Sequence, residues 1–346
     1  MKNFTMLVLV IVFSALTSGC GRGAPSKPKI GVTIYKFDDN FMSIVRNNMQ
    51  QLADSVGEAA LDYTVQDGQG DQSKQNDVID LFLTQGATAL ALNMVEPASS
   101  NVIIQKAAAK KVPIVFFNRE PEASEMAKYD KAYYVGAKAQ ASGTFEGELV
   151  ADYWKAHPEA DKNKDGKIQY VMLIGDPANT DAKYRTEFSI KAIEAAGLTV
   201  DKLAEDTAMW QTGDAQNKLQ AWLAKFGDSI EVVLANNDAM AIGAIQALKA
   251  AGYFQGDKFM PVVGVDAIPE ALDAIEQGTM IGTVLNDATN QARATFELSH
   301  ALATGAKDVK TSVAPLANAS GETDPAGRYI WVPYVKVTKE NYKSFK

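Results

Sequence analysis

The stretch EVVLANND, residues 231–238, combines a continuous apolar run with asparagine and aspartate side chains at its end. Six further runs in the chain have the same form. They are IGVTIYKFDDN (30–40), ALALN (89–93), VPIVFFN (112–118), IQYVMLIGDP (168–177), PVVGVD (261–266) and IGTVLND (281–287). Short apolar runs of this kind are typical of parallel strands buried on both faces. The pattern predicts a repeated strand that carries polar side chains at its carboxyl end.

Amphipathic helical stretches alternate with these runs. Examples are NFMSIVRNNMQQLADSVG (40–57) and NDVIDLFLTQG (76–86). Strands and helices joined by right-handed crossovers predict an α/β protein with doubly wound parallel sheets. The strands are too numerous for one compact sheet in a chain of this length, so we expect two lobes. Ligands of such sheets bind beyond the carboxyl ends of the strands.

Composition narrows the possible functions. The 346 residues are 47% hydrophobic and 22% charged, with a net charge of −8. The acidic balance argues against a nucleic-acid partner, because phosphate contacts need a basic surface. The chain has two histidines, His157 and His300, far apart in sequence. The sequence therefore gives little support for a zinc site or a Ser-His-Asp relay.

The N-terminus predicts export. Lys2 precedes the apolar stretch FTMLVLVIVFSAL, which is too short for a stable membrane span and predicts a signal peptide over residues 1–19. TSGC resembles a lipoprotein signal, so we expect lipid attachment at Cys20, a tether over 20–28 and anchoring in the cell envelope. Thr17 replaces the usual aliphatic residue, and an ordinary secretory signal is the alternative. Cys20 is the single cysteine, so the folded part has no disulfide.

The loop DKNKDGKIQ, residues 161–169, begins like a calcium loop. Asp161, Asn163 and Asp165 alternate as oxygen donors, and Gly166 stands where such a loop turns sharply. The twelfth position, where a bidentate glutamate is expected, holds Met172. The sequence therefore predicts a calcium site that lacks one carboxylate locally. A solvated turn without metal is the alternative.

Polar strand ends and aromatic residues together indicate a sugar site. Each Asn or Asp alone is explained as the cap of the following helix. Seven such ends, with Phe41 and Trp210 near similar turns, favour a ligand site instead. Carboxylates and amides supply the acceptors and donors that sugar hydroxyls need, and aromatic rings pack on the C–H faces of a pyranose.

Several ordered motifs carry a family resemblance. They are GVTIYKFDDNFM (31–42), DQSKQND (71–77), VPIVFFNREP (112–121), YDKAYYVG (129–136), DKNKDGKIQ (161–169), DTAMW (206–210), EVVLANNDAMA (231–241), GVDAIPEAL (264–272) and GTVLNDA (282–288). This series, which covers about residues 29–303 and continues in VPYVKV (332–337), closely resembles the bacterial periplasmic glucose/galactose-binding proteins. The resemblance implies the fold of a type I periplasmic binding protein, two lobes joined by three hinge strands. It implies a first lobe of residues 29–137 plus about 287–324 and a second of 138–286 plus about 325–346.

The resemblance also implies which side chains hold the sugar. The implied residues are Asp39, Phe41, Asn118, Asn179, Asp181, Arg185, Trp210, Asn237, Asp266 and Asn286. Phe41 and Trp210 are implied as the two stacking rings. Asn179 departs from the family, which has histidine there. An amide is shorter than an imidazole, so we expect an altered preference at the C4 hydroxyl, with glucose favoured over galactose.

For the loop, the resemblance supplies the missing carboxylate. Parallel strands start at the same edge of a sheet, so Glu231 can lie beside the loop that precedes IQYVMLIG. The family uses the matching glutamate as a bidentate ligand. The implied calcium ligands are Asp161, Asn163, Asp165, Gln169, Glu231 and the backbone carbonyl of Lys167. The ion would be structural, because the sugar meets the opposite edge of the sheet.

The sequence thus predicts a non-enzymatic, monomeric lipoprotein that captures D-glucose or D-galactose and delivers it to the transmembrane subunits of an ABC permease. The membrane is a partner only through the lipid on Cys20, and a chemoreceptor is a second possible partner by resemblance. A pentose or another monosaccharide is the alternative ligand. A glycoside-cleaving enzyme is disfavoured because the acids alternate with amides. A sugar-responsive repressor would need a basic helix-turn-helix where residues 1–28 predict an export signal and tether.

Overall fold

The computed structural model describes residues 27–305 and 327–346. The predicted signal peptide, Cys20 and residues 20–26 of the tether lie outside these residues, as do residues 306–324 of the predicted first lobe. No helix in the described ranges combines the length and apolar composition that a bilayer crossing requires.

Strands and helices alternate along the chain as predicted. The strands of the described residues are β1 (Lys29–Ile34), β2 (Asp62–Asp67), β3 (Ala89–Leu92), β4 (Ile114–Phe117), β5 (Ala132–Gly136), β6 (Lys167–Ile174), β7 (Thr199–Thr207), β8 (Val232–Ala235), β9 (Val262–Asp266), β10 (Gly282–Leu285), β11 (Tyr329–Trp331) and β12 (Val335–Val337). The helices are α1 (Asn40–Val56), α2 (Gln72–Thr84), α3 (Ser100–Lys110), α4 (Ala123–Met126), α5 (Ala139–Ala156), α6 (Thr180–Ala195), α7 (Thr212–Phe226), α8 (Asp238–Ala250), α9 (Pro269–Glu276) and α10 (Ala288–Ala303).

Two six-stranded sheets form the two lobes. Their strand orders are β11-β5-β4-β3-β1-β2 and β12-β10-β9-β8-β6-β7. The orders correspond strand for strand, and all neighbours are parallel except β12, which runs antiparallel to β10. The predicted pair of doubly wound α/β lobes is confirmed.

Each sheet is buried on both faces, which explains the unbroken apolar runs. In β3, Ala89 and Ala91 belong to the apolar cluster formed with α1 and α10, whereas Leu90 and Leu92 belong to the cluster formed with α2 and α3. β8 divides in the same way between two clusters of the second lobe. Because both faces of such a strand pack against apolar helix surfaces, every side chain is buried and the strand contains no polar residue.

The described residues show three crossings between the lobes, as predicted. The crossings run from β5 to α5, from β10 to α10 and from β11 to β12. The predicted boundary at about residue 325 was wrong, because β11 pairs with β5 in the first lobe. Tyr329 and Trp331 of β11 also pack their rings against Tyr134. A three-residue strand has too little periodicity to reveal this pairing from the sequence.

The edge strands β2 and β7 were missed in the pattern of apolar runs. β2 is DYTVQD and β7 is TVDKLAEDT, and neither contains a fully buried residue. Each has one sheet neighbour, so solvent reaches its outer edge. Edge strands tolerate charged side chains, which removes the apolar signal that identified the central strands.

Candidate functional site

A cavity lies between the lobes at the carboxyl ends of the strands. The space between its lining atoms, open solvent included, amounts to ≈ 320 Å³. Its lining residues are Tyr35, Asp39, Phe41, Met42, Asn118, Arg119, Asn179, Asp181, Arg185, Trp210, Asn237, Asp266 and Asn286. The structure therefore brings all ten predicted sugar-site residues together, and both lobes contribute to one polar cavity.

Asp39 is positioned by the start of α1. Its Oδ1 accepts the backbone N–H of Met42 at 2.7 Å, which caps the helix. Its Oδ2 accepts the hydroxyl of Tyr35 at 2.6 Å. Phe41 follows in the first turn of the helix and is 5% exposed. Capping therefore fixes the carboxylate and directs its remaining lone pairs toward the cavity.

Asn118 is fixed by neighbours on both sides. Asn93 donates to its side-chain oxygen at 3.2 Å, and the hydroxyl of Tyr134 donates to its backbone oxygen at 2.8 Å. Asn118 has φ 62°, and Trp210 and Asp266 have φ 65° and 129°. Non-glycine residues rarely adopt positive φ, and such strain is concentrated at functional sites. Three cavity residues thus hold conformations that only the surrounding structure supports.

Arg185 is the centre of the second-lobe half of the site. Its guanidinium is buried and donates to the Ser142 hydroxyl (3.2 Å), the Asn236 backbone oxygen (2.9 Å), the Asp181 carboxylate (3.3 Å) and the Tyr334 hydroxyl (3.2 Å). Asp266 Oδ1 lies 4.0 Å from its Nη1. One fixed cation thus lies between the buried carboxylate of Asp266 and the largely buried carboxylate of Asp181.

The ionisable groups around Arg185 shift one another's pKa values. Burial raises the pKa of Asp181 and of Asp266, while Arg185 lowers both. Burial alone would lower the pKa of Arg185, but Tyr334, Asp181 and Asp266 together raise it. The guanidinium therefore stays charged and offsets part of the effect of burial, but the pKa of both carboxyl groups remains raised, and that of Asp266 lies well above its usual range.

Three asparagines complete the site, and each uses its side-chain oxygen within the protein. Asn179 caps α6 by accepting the N–H of Asp181 at 2.9 Å, and Asn237 caps α8 by accepting the N–H of Met240 at 3.0 Å. Asn286 accepts from Gln291 and donates to Asp266 at 3.2 Å. Capping and ligand binding are therefore compatible, because the amide groups of Asn179 and Asn237 can still donate into the cavity.

Trp210 packs directly against backbone. A Cβ on Gly175 would lie 2.2 Å from the indole ring, so this glycine provides the space that the ring occupies. Trp210 is 7% exposed, and its indole N–H has no hydrogen-bond partner among the described residues. A buried donor without a partner is expected where a ligand or water completes the site.

Tyr35, Met42 and Arg119 were not predicted as site residues. Tyr35 lies four residues before Asp39, and Arg119 follows Asn118 in the motif VPIVFFNREP. Both are buried, Arg119 to 2% exposure. The one signal that could have identified them is their proximity to a predicted strand end. Nothing in the sequence distinguishes an arginine that faces the cavity from one that is exposed.

The predicted calcium loop lies at the amino edge of the second sheet. Asp161 accepts the backbone N–H groups of Asp165 and Gly166 at 3.2 and 3.0 Å. Glu231 accepts the backbone N–H of Lys162 at 2.7 Å and that of Gln169 at 3.1 Å. Glu231 therefore does lie beside the loop, as the pairing of parallel strands requires.

The loop has both a feature that favours a cation and one that does not. Gln169 is 4% exposed, and its side-chain oxygen has no hydrogen-bond partner among the described residues. Burial raises the pKa of Glu231, as does the charge of Asp161. However, within residues 27–305 and 327–346 no three acidic, histidine or cysteine side chains gather into a metal-holding group. Calcium binding stays a prediction.

Glu146 of α5 is a buried acid close to the site. It is fully buried, and neither carboxyl oxygen has a hydrogen-bond partner in the part of the chain that the structure describes. Burial raises its pKa well above the usual range, although the charge of Arg185 lowers it; the charge of Asp238 raises it further. The folded protein therefore favours the neutral acid.

Replacing Glu146 with Gln should remove a stability cost that grows with pH. Because the folded pKa is raised, the unfolded chain ionises first, so the wild type loses stability as pH rises above the ordinary pKa of glutamate. We expect Glu146→Gln to raise the melting temperature more at pH 8 than at pH 5. Glu148→Gln, on the exposed side of the same helix, is the matched control. An equal effect of Glu146→Gln at both pH values would contradict this account.

The fold and cavity define a two-lobed protein that encloses a polar ligand. A sequence profile of the periplasmic binding protein domain matches residues 30–307, and the chain belongs to this family. The family consists of periplasmic binding proteins rather than enzymes, as the sequence predicted.

Three similar proteins are described by the ligands they bind. The D-galactose/methyl-galactoside binding periplasmic protein of Haemophilus influenzae is 42% identical over all of this chain and 99% of its own length. A putative rhizopine-binding protein of Rhizobium meliloti is 30% identical over 92% of each chain. A solute-binding protein of Bacillus halodurans, solved with myo-inositol, is 25% identical with a TM-score of 0.77, covering 93% of this chain and 98% of its own.

Proposed function

We propose that the protein binds one hexose, D-galactose or D-glucose, between its lobes and delivers it to the transmembrane subunits of an ABC importer. The observation that carries the proposal is the composition of the cavity wall. Carboxylates, amides, two guanidinium groups and three aromatic rings, contributed by both lobes, line one cavity. This set matches the alternating hydroxyls and C–H faces of a pyranose ring.

Each type of side chain has a distinct part in the proposed complex. Asp39, Asp181 and Asp266 accept hydrogen bonds from sugar hydroxyls, and Arg185 donates to sugar oxygens. Phe41 and Trp210 pack on the two faces of the ring. Enclosure between the lobes excludes water, which strengthens the charged hydrogen bonds.

The preferred epimer depends on Asn179. Its side-chain oxygen already accepts the N–H of Asp181, so it offers the sugar only the amide N–H₂. That group reaches less far than an imidazole at the same position. Leaving a polar group unpaired costs about 1–3 kcal/mol, enough for a ten-fold preference between C4 epimers. We propose that glucose is favoured, although the Haemophilus relative is named for galactose.

A calorimetric comparison of ligands tests the proposal. The protein without residues 1–20 is titrated with D-glucose, D-galactose, D-ribose, D-xylose and myo-inositol. We expect a hexose to bind at one site at least ten-fold more tightly than the pentoses and the inositol. Binding of a pentose as tightly as of either hexose would favour the alternative ligand class. A lack of binding by both hexoses would overturn the proposal.

We further propose calcium as a structural ion of the second lobe. Side-chain oxygens of Asp161, Asn163, Asp165, Gln169 and Glu231, with the carbonyl of Lys167, form an oxygen set of the kind that calcium prefers. The partnerless oxygen of Gln169, unpaired among the described residues, supports this assignment. Bound calcium would balance the carboxylates of Asp161, Asp165 and Glu231 and tie the loop to the strand that follows Glu231.

Chelation should therefore lower stability and spare sugar binding. We expect EDTA to lower the melting temperature by several degrees and added calcium to restore it, because an ion bound only to the folded state stabilises it. Sugar affinity should change less than two-fold. Glu231→Gln should remove the response to EDTA, while Glu205→Gln on β7 should retain it. An unchanged melting curve in EDTA would refute the calcium site.

Further parts of the proposal concern localisation and partners. The family is periplasmic, and lipid attachment at Cys20 would hold the protein at a membrane surface. Binding to a chemoreceptor is a prediction from family resemblance, and so is the monomeric state.

A further inference from the structure

A buried ion pair joins the two lobes at the cavity. Arg119 follows β4 of the first lobe, and Asp176 follows β6 of the second. The Nη1 of Arg119 donates to Oδ2 of Asp176 at 3.2 Å. The side chains are 2% and 17% exposed, so solvent screens the pair weakly. The contact exists only while the lobes are closed, because its halves belong to different lobes.

The Arg119 half is held within the first lobe. Its Nη1 also donates to the backbone oxygen of Val95 at 2.8 Å, and its guanidinium carbon lies 3.7 Å from the centre of the Tyr35 ring. Both contacts are internal to that lobe, so separation of the lobes does not require breaking them. Arg119 therefore needs little reordering to meet its partner.

The Asp176 half is similarly held within the second lobe. Its Oδ1 accepts the backbone N–H of Ala178 at 2.9 Å, and its backbone oxygen accepts the N–H of Asn179 at 2.9 Å. These bonds fix the turn before α6 and leave Oδ2 directed at Arg119. Because both side chains are already ordered, lobe closure forms this charged hydrogen bond at small entropic cost.

The ion pair is linked to the sugar site through Tyr35. The ring of Tyr35 lies against Arg119, and its hydroxyl donates to Asp39 Oδ2 at 2.6 Å. Tyr35 therefore contacts both Asp39 and Arg119, so a ligand bound to Asp39 is linked to the ion pair through Tyr35. Arg119 itself lines the cavity.

We propose that Arg119 and Asp176 form a latch that holds the lobes closed over the bound sugar, with Arg119 as a positioning residue. This inference rests on the proposed sugar binding. The latch acts after the ligand has entered, so it slows release rather than speeding capture. The ion pair of Arg185 with Asp181, also near the cavity, lies within one lobe, so it does not link the two lobes.

Stopped-flow binding of the preferred hexose tests the latch. Asp176→Asn keeps the shape and the acceptor for Ala178 but removes the charge. We expect its dissociation rate to rise about ten-fold with an association rate within two-fold of wild type, as for the loss of a charged hydrogen bond. Asp176→Glu should recover part of the slow release. Asp206→Asn, which removes an exposed ion pair with Lys218 inside the second lobe, should behave as wild type.

A double-mutant comparison separates a latch from a local structural role. In an Arg119→Gln background, Asp176→Asn should cause no further rise in dissociation rate, because the pair is already broken. A slower association with unchanged release would overturn the latch, as would equal effects of Asp176→Asn with and without Arg119. If wild type binds no hexose, the proposed function fails first; if wild type binds and Asp176→Asn matches it, only the latch fails.

Discussion

Trp210→Ala is expected to abolish measurable hexose binding. The indole forms one wall of the cavity and is buried against Gly175, so its removal opens a gap that solvent can fill. Loss of the stacking surface and its apolar contacts should cost about 3 kcal/mol or more, a factor above roughly 100 in affinity. Calorimetric titration of the variant with glucose and galactose measures the loss.

Two variants make this result interpretable. Trp210→Phe keeps an aromatic face and should retain part of the affinity. Trp222→Ala removes a half-buried tryptophan of α7 that packs on the second-lobe core but does not line the cavity. It should lower the melting temperature without changing sugar affinity. Wild-type affinity in Trp210→Ala would remove the indole from the binding site.

Arg185→Met is expected to destabilise the second lobe as well as prevent binding. The guanidinium is the cation beside the buried carboxylates of Asp181 and Asp266. Removing one partner of a buried ion network typically costs about 3–5 kcal/mol, because the remaining charges are left uncompensated. Urea unfolding at pH 7 should show a loss of this size, and calorimetry should show no hexose binding.

The pH dependence of the Arg185→Met defect identifies its cause. Arg185 lowers the pKa of both carboxyl groups, so its loss lets burial raise their pKa further. The folded variant then favours protonated acids, and its defect should shrink as the pH falls from 7 to 5. Arg185→Met with Asp181→Asn should recover part of the stability. Arg293→Met, which removes an exposed partner of Glu297, should have little effect. A pH-independent loss would attribute the defect to packing rather than charge.

The central strands of both lobes could be predicted from the sequence, while the edges could not. β3 and β8 are buried on both faces, so their apolar runs are unbroken. β2 and β7 have one sheet neighbour and mix charged with apolar residues. The three-residue β11 was assigned to the wrong lobe because its place depends on pairing with β5 and on ring contacts with Tyr134.

The candidate site shows the same division. Asp39, Asn237 and Asp266 follow or end strands, where the apolar runs predict polar side chains, and the family resemblance selected them from their neighbours. Arg119 and Tyr35 carried no comparable signal. Their side chains stack on each other, and the reason lies in contacts with Val95 and Asp176, which are distant in sequence.

The sequence alone was enough to predict two parallel-stranded lobes with polar residues at the carboxyl ends of their strands. Local periodicity and the residue types at strand ends are properties of short segments. Only the tertiary structure decided which strand-end residues meet across the cleft, that Arg185 lies beside both Asp181 and Asp266, and that Arg119 reaches Asp176. Those outcomes depend on burial and on distances between segments far apart in the chain, which no short stretch of sequence encodes.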